Sequence, residues 1–207
     1  MNDNPENRIK LIESAKKEFM EKGFNKASLR KISADAGLTT GAIYFFFKDK
    51  NGLFGAIVDE PLKKVMDIIT THYSEEASED FNTYEHKSGD HDELAELLVP
   101  ALYEDRDAML LLLEKSAGSV YEDVVDKLID FTDESYLKLA QRFAAAVPGK
   151  KVNDYILHYF SHMQINAFVH LIIHEPDEKK ALKHIKPLMD FMVDGWMKYI
   201  LEDKDIS

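Results

Sequence analysis

Three features of the 207-residue sequence predict an all-α fold. Apolar residues recur at three- and four-residue spacing along nearly the whole chain. Glycine and proline punctuate these runs at helix-length intervals, and no alternating β-branched run stands out. The pattern divides the chain in two: an N-terminal three-helix segment with helix-turn-helix spacing over residues 1–48, and a helical remainder over residues 49–207.

In the first helix Ile9, Ile12, Ala15 and Phe19 share one face, and Lys22-Gly23 gives a usual C-terminal stop. Ser28 is placed to cap a second helix running to Ala36, with Leu29, Ile32 and Ala36 on one side and Gly37 ending it. Thr39 is placed to cap a short third helix, and Asp49 a long fourth one. Asn51-Gly52 marks a hairpin when alternating apolar runs flank it. None do, so the pair reads as the first turn of the fourth helix. Pro61 falls inside that helix, where a proline removes a backbone hydrogen bond and kinks or breaks the chain. It is either a hinge or a tolerated irregularity.

From about Ser74 to Asp92 the chain is acidic and polar, and irregular structure is expected. Helical patterns resume over 92–103, 106–117, 120–146, 151–174 and 178–202, separated by Pro100, Gly118, Pro148-Gly149 and Glu175-Pro176.

Composition excludes several function classes. A hydrophobic content of 45% supports a buried core rather than disorder. The chain has no cysteine, which removes thiolate metal sites, iron–sulfur clusters, thiol catalysis and disulfides. The polar, acidic start has no secretory signal. The most apolar stretch, Tyr155 to Ile173, is interrupted by His158, Ser161, His162, Gln164, Asn166 and His170, which excludes a membrane span. A soluble, cytoplasmic protein is expected.

Charge is unevenly spread. The chain carries −12 overall, yet Arg8 to Val58 holds ten basic and five acidic residues, a net charge of +5, so the rest carries −17. The first segment suits a polyanion, and the remainder would be repelled by one.

Residues 28–53 are the most informative. Two short helical patterns flank Gly37-Leu38, and glycine relieves the left-handed backbone that such a turn needs. Ile32, Ala36, Leu38 and Ile43 can form the apolar knot between the helices. Thr39, Thr40, Gly41 and Ala42 open the third helix. Small residues there let a helix enter the major groove, and hydroxyls reach base edges and phosphates.

This stretch resembles the TetR/AcrR family of bacterial transcriptional regulators. The residues that carry the resemblance are Ser28, Ile32-Ser33, Ala36-Gly37-Leu38-Thr39, Gly41-Ala42-Ile43-Tyr44, Phe47, Lys50 and Leu53, with Phe19 and Gly23-Phe24 before them. It covers about the first quarter of the chain. It implies a DNA-binding regulator, most often a repressor, that pairs as a homodimer on a pseudo-palindromic operator and is released by a small molecule.

The resemblance assigns Tyr44 and Lys50 to phosphates and Ser28 to the backbone beside the second helix. Arg30, Thr39, Thr40, Gly41 and Phe45 fall to the groove, where sequence is read. Two positions depart from the family pattern. Phe46 stands where Tyr or His is usual, which removes a phosphate donor. Gly52 replaces a common Glu, which weakens the first turn of the fourth helix by about 1 kcal/mol relative to alanine. Phe46 and Phe47 read as core.

The remainder offers a pairing surface. From Tyr155 to Ile173, 13 of 19 residues are apolar and circle the helix, so more than one face must be buried. The last helix is similar. A four-helix bundle across a two-fold axis follows, with Phe168, Ile172, Met192, Gly195 and Trp196 at the contact. Tyr103, Met109, Phe131, Phe143, His158, His162 and Met163 are candidates for an apolar effector cavity with a few polar groups.

His158/His162 and His170/His174 are each spaced to share a helix face, as metal ligands can. With no His-Glu-x-x-His motif and no cysteine, they read as core and interface histidines, and no metal or cofactor is expected. His72, His91 and Asp92 sustain a second reading, an all-α metal-dependent hydrolase. A third is a helical interaction module whose helix-turn-helix is vestigial.

Overall fold

The computed structural model describes residues 4–76 and 92–204. Among these lie nine helices and one two-stranded ribbon: α1 (Pro5–Lys26), α2 (Leu29–Asp35), α3 (Thr40–Phe47), α4 (Lys50–Glu76), α5 (Asp92–Glu104), α6 (Arg106–Glu114), α7 (Val124–Ala146), β1 (Lys150–Val152), α8 (Asp154–His174), α9 (Glu178–Tyr199) and β2 (Leu201–Asp203). The all-α reading holds. No described helix is long and apolar enough to cross a membrane.

The chain forms two compact units. The first comprises the chain up to Lys64 together with residues 104–124; the second comprises residues 65–103 and the chain from 125 onward. In the first unit, Leu11, Ala15 and Phe19 of α1 are fully buried with Ile32, Ile43, Leu53 and Phe54. The rings of Phe19, Phe24 and Phe54 meet at centroid distances of 5.1–5.9 Å. Three short helices cannot enclose a core of this size alone. The N-terminal half of α4 and the 104–124 segment complete it. Lys16 pairs with Asp105 at 2.6 Å, and the Phe24 amide donates to the Lys115 carbonyl at 2.8 Å.

The second unit has a core of Leu139, Ala140 and Phe143 from α7, Leu157 from α8, Trp196 from α9 and Ile200. The helical patterns expected over 151–174 and 178–202 give up their outer residues to β1 and β2. These pair antiparallel, Lys150 opposite Asp203 and Val152 opposite Leu201. Asn153 sets the boundary: its side chain caps α8 through the Ile156 amide at 3.1 Å, while its own amide donates to the Ile200 carbonyl at 2.8 Å. Three-residue strands are too short to show a period in sequence.

Other boundaries also move. Pro100, expected as a separator, lies inside α5. A proline removes one backbone bond, and the burial of Leu98, Val99, Ala101 and Leu102 around it holds the helix together. Likewise α4 runs unbroken across Pro61. Helix α6 stops at Glu114 and α7 starts only at Val124. Between them, Gly118 at φ 86 and the Ser119-to-Ser116 backbone bond (2.8 Å) turn the chain.

Candidate nucleic-acid interface

The turn between α2 and α3 is fixed by its own backbone. Gly37 sits at φ 69, its amide donates to Ala34 at 3.0 Å, and the Leu38 amide reaches back to Ser33 at 2.8 Å. These two bonds form the Schellman arrangement, which satisfies the last carbonyls of a helix and needs a left-handed residue at its centre. Ile32 and Ile43, both fully buried, close the angle between the helices.

Helix α2 is anchored at its start as well. The Ser28 hydroxyl caps it through the Lys31 amide at 3.3 Å. Glu18 of α1, buried at 3% exposure, accepts the Ser28 amide at 3.2 Å and pairs with Lys31 at 2.9 Å. The Lys31 ammonium holds the Glu18 carboxyl below the ordinary range against the upward push of burial, with help from the Ser28 amide. Lys31 is raised in turn by Glu18 and Asp35. Ser14 adds a bond from α1 to the Ile32 carbonyl at 2.9 Å.

One face of α3 is buried through Ala42, Ile43 and Phe47, and the opposite face is bare. Tyr44 is 55% and Phe45 53% exposed, and Thr39, Gly41, Ser28 and Arg30 are exposed too. The Thr39 side chain makes no capping bond to α3, contrary to expectation, and so remains available. Thr40 is more occupied. Ser33 donates to the Arg30 carbonyl at 3.0 Å, so the Thr40 hydroxyl donates to Ser33 across 3.2 Å and braces the two helices. Phe46 is half-buried and Phe47 buried, in keeping with their reading as core.

Lys50 is also engaged. Its ammonium donates to the Asn25 carbonyl at 3.3 Å and lies 4.9 Å from the Phe24 ring centroid, and burial lowers its pKa. Asp49 caps α4 through the Gly52 amide at 2.9 Å. A Cβ on Gly52 would stand 1.9 Å from the Phe47 carbonyl oxygen, so this departure from the family pattern matches a close backbone approach.

Several cations of the basic segment are already spoken for: Lys10 by Glu6, Lys16 by Asp105, Lys22 by Glu21, Lys31 by Glu18 and Asp35. Lys17, Lys26, Arg30 and Lys48 are exposed and have no ion-pair partner among the described residues. Sequence reasoning singled out only Arg30 of these four. Lys48 has a further property, a φ of 68 and ψ of −49 at the end of α3, with the Asp49 amide donating to the Phe47 carbonyl at 2.9 Å. This is the strained, positive-φ form of a γ-turn. Strain of this kind collects at functional sites. The Lys-Asp-Lys run carried no signal for it.

The effector candidates are divided between the two units. Met109 is buried in the first unit, whereas Phe131, Phe143, His158, His162 and Met163 belong to the second. Phe143 is 1% exposed and packs on Trp196 as core. Tyr103 donates to the Glu175 carbonyl at 2.5 Å, tying α5 to the end of α8. Phe131 faces Tyr73 at 6.0 Å between ring centroids.

Sequence reasoning missed the polar cluster beside that ring. The buried Tyr73 hydroxyl lies 3.3 Å from Gln164 Oε1 and 3.4 Å from Thr132 Oγ1, and burial raises its pKa. Gln164, polar within an apolar run, was the available signal. A cleft of about 250 Å³ opens elsewhere in this unit, lined by Ile68, Thr71, His72, Glu75, Glu93 and Leu97 among others. His72 lies 3.3 Å from Glu76. The hydrolase reading rests also on His91 and Asp92, whose side chains lie outside the described residues.

The residues named for pairing are buried within their own unit: Ile172 at 0%, Trp196 at 4%, Phe168 and Met192 at 6%. A Cβ on Gly195 would meet the Phe160 ring at 2.9 Å, so Gly195 serves internal packing. The apolar side chains that α8 and α9 leave bare are Tyr155, Tyr159, Leu188, Phe191 and Tyr199.

Residues 11–57 match the family described as bacterial regulatory proteins, tetR family. Over 53 residues the chain is 42% identical to the HTH-type transcriptional repressor BepR of Brucella suis, covering 26% of this chain and about a quarter (25%) of BepR. It is 27% identical over 146 residues to an HTH-type transcriptional regulator of Staphylococcus aureus, covering 66% of this chain and 74% of that protein. Its fold is similar to that of the TetR family regulator PfmR from Thermus thermophilus, with a TM-score of 0.55 at 16% identity over 88% of this chain and 93% of that one. The family match falls on the segment in which α1, the turn at Gly37 and the bare face of α3 are assembled, so residues 11–57 are similar to the helix-turn-helix segment of tetR-family regulatory proteins, and the fold of the chain is similar to that of PfmR.

Proposed function

We propose that this chain is a ligand-responsive repressor that binds a pseudo-palindromic operator as a homodimer and leaves it when a small molecule occupies the region after residue 48. The observation that carries the reading is the bare face of α3, where Tyr44 and Phe45 are more than half exposed beside Thr39 and Gly41. Adjacent exposed aromatic side chains on a short helix form a contiguous apolar patch of the kind that meets a partner. Lys48 stands at the end of the same motif and Lys26 just before it, both exposed and suited to phosphates.

In this reading Thr39, Gly41 and Phe45 read the groove with Arg30, while Ser28, Tyr44 and Lys50 set register and Thr40 acts partly through Ser33. Two recognition helices must lie about 34–36 Å apart on B-DNA, which requires a second copy. Tyr155, Tyr159, Leu188 and Phe191, the bare apolar positions of α8 and α9, are the proposed pairing face. Phe131, His158, His162 and Met163, with Tyr73 and Gln164, are the proposed surroundings of the effector. Helix α4, part of the first unit to Lys64 and of the second from Val65, is the proposed route of coupling, with Pro61 near the crossing. BepR is a repressor by name, which supports that direction of control.

The test is footprinting on the DNA upstream of the chain's own gene. Two protected half-sites one helical turn apart are expected, with protection lost in Arg30→Ala. Uniform, sequence-independent protection would refute the proposal.

A further inference from the structure

We infer that His158 and His162 form a binding site for a late first-row transition metal ion of the zinc class, oriented by Asp133. The two residues are one turn apart on α8, and their Nε2 atoms lie 3.1 Å from each other. With imidazole–zinc bonds of about 2.05 Å, an ion touching both would subtend an angle of about 100° at that 3.1 Å separation. That lies between the right angle of an octahedral site and the tetrahedral value, so the separation suits an ion that takes the place of the Nε2···Nε2 hydrogen bond.

The second observation lies behind the pair. His158 Nδ1 stands 2.6 Å from Asp133 Oδ2 of α7. With Nδ1 turned to the carboxylate, Nε2 is the ring nitrogen left to take an ion, on the side away from Asp133. A carboxylate on the far nitrogen is how proteins fix the tautomer and raise the basicity of a metal-binding histidine. The other oxygen, Asp133 Oδ1, is buried and has no hydrogen-bond partner. A half-buried carboxylate with one oxygen left unsatisfied is compensated when the ring it holds carries positive charge, as it would with a metal on Nε2.

Among the described residues no group of three or more His, Asp or Glu side chains is arranged around a metal. The site therefore has two protein ligands and fills its shell with water. Neutral imidazoles with water select zinc, nickel or copper over magnesium or calcium, which prefer oxygen.

The same helix supplies a control. His170 and His174 have the same spacing and pack ring against ring at 4.3 Å between centroids, but no carboxylate among the described residues holds either one. The pair lies among the residues proposed to surround the effector, but the test involves neither DNA nor effector, so failure of the metal site and failure of the regulatory reading are distinguishable.

Untagged full-length protein is dialysed to equilibrium against zinc, and bound metal is measured per chain, with far-UV circular dichroism confirming the fold. Wild type and His170→Ala should each hold one zinc. His158→Ala and His162→Ala should lose it, and Asp133→Asn should bind about 10- to 100-fold more weakly. Absence of stoichiometric zinc in the wild type would overturn the site, as would retention by His162→Ala or loss in His170→Ala. Unchanged affinity in Asp133→Asn would overturn the role of Asp133.

Discussion

Removing the Glu18 carboxylate should loosen the helix-turn-helix by an amount the geometry sets. Glu18 accepts one backbone amide, at 3.2 Å from Ser28, and one ammonium, at 2.9 Å from Lys31. A hydrogen bond to a charged group contributes about 1.5 kcal/mol at the low end of its range, apt for so long a contact. Lys31 is half exposed, and an ion pair so open to solvent adds only about 0.5 kcal/mol. Glu18→Ala should therefore cost about 2 kcal/mol. Glu18→Gln, which still accepts the Ser28 amide, should cost about half that, roughly 1 kcal/mol.

The pH dependence follows from the lowered carboxyl. The contribution is fully present above the unfolded carboxylate value, about 4.3, and is lost as pH falls through the lower folded value. The gap between wild type and Glu18→Gln should be constant near neutrality and close in acid. The single tryptophan, Trp196, belongs to the second unit and will not report on this change. Hydrogen exchange of the α2 amides, measured against pH, is the suitable assay. Equal protection of α2 in both variants and wild type, or a gap that does not change on acidification, would refute the assigned role of Glu18.

Other substitutions test separate parts of the structure. Gly37→Ala forces a side chain into φ 69 and should lower stability by about 1 kcal/mol, seen as a shifted denaturation midpoint with loss of operator binding. Lys48→Gly should stabilise the helix-turn-helix by about 1 kcal/mol through relief of the γ-turn. It should also weaken DNA binding and reduce the log–log salt slope by about 0.9, a combination that separates strain from charge. Phe191→Asp, at a position 65% exposed, should give folded monomers by sedimentation. Ile172→Asp would bury an unpaired charge and should give insoluble protein; a folded dimer in both would place the pairing face elsewhere.

The helices, the turn at Gly37 and the caps at Ser28 and Asp49 were legible in the sequence because each depends on local geometry. A glycine at a left-handed position or an oxygen one turn from an amide acts within a few residues of chain. The family resemblance rests on the same segment for the same reason. What the sequence left undecided depends on residues far apart in it. The 3.6-residue period marks a face as apolar, but not whether that face meets its own subunit or another. Phe168, Ile172, Met192 and Trp196 thus read as a pairing surface, while the fold buries them and leaves Tyr155 and Phe191 bare.

Thr40 and Lys50 matched a DNA-contact pattern, yet Ser33 and Asn25 share their polar groups. Gln164 stood out as polar within the run from Tyr155 to Ile173, but the run did not show that it would be sealed in while His158 stayed exposed. Only packing of α4 and α7 against α8 set Gln164 beside Tyr73 and His158 beside Asp133. Local backbone chemistry determined the elements and the helix-turn-helix. Tertiary contact decided which side chains remain free to act, because exposure belongs to the neighbours that the fold supplies.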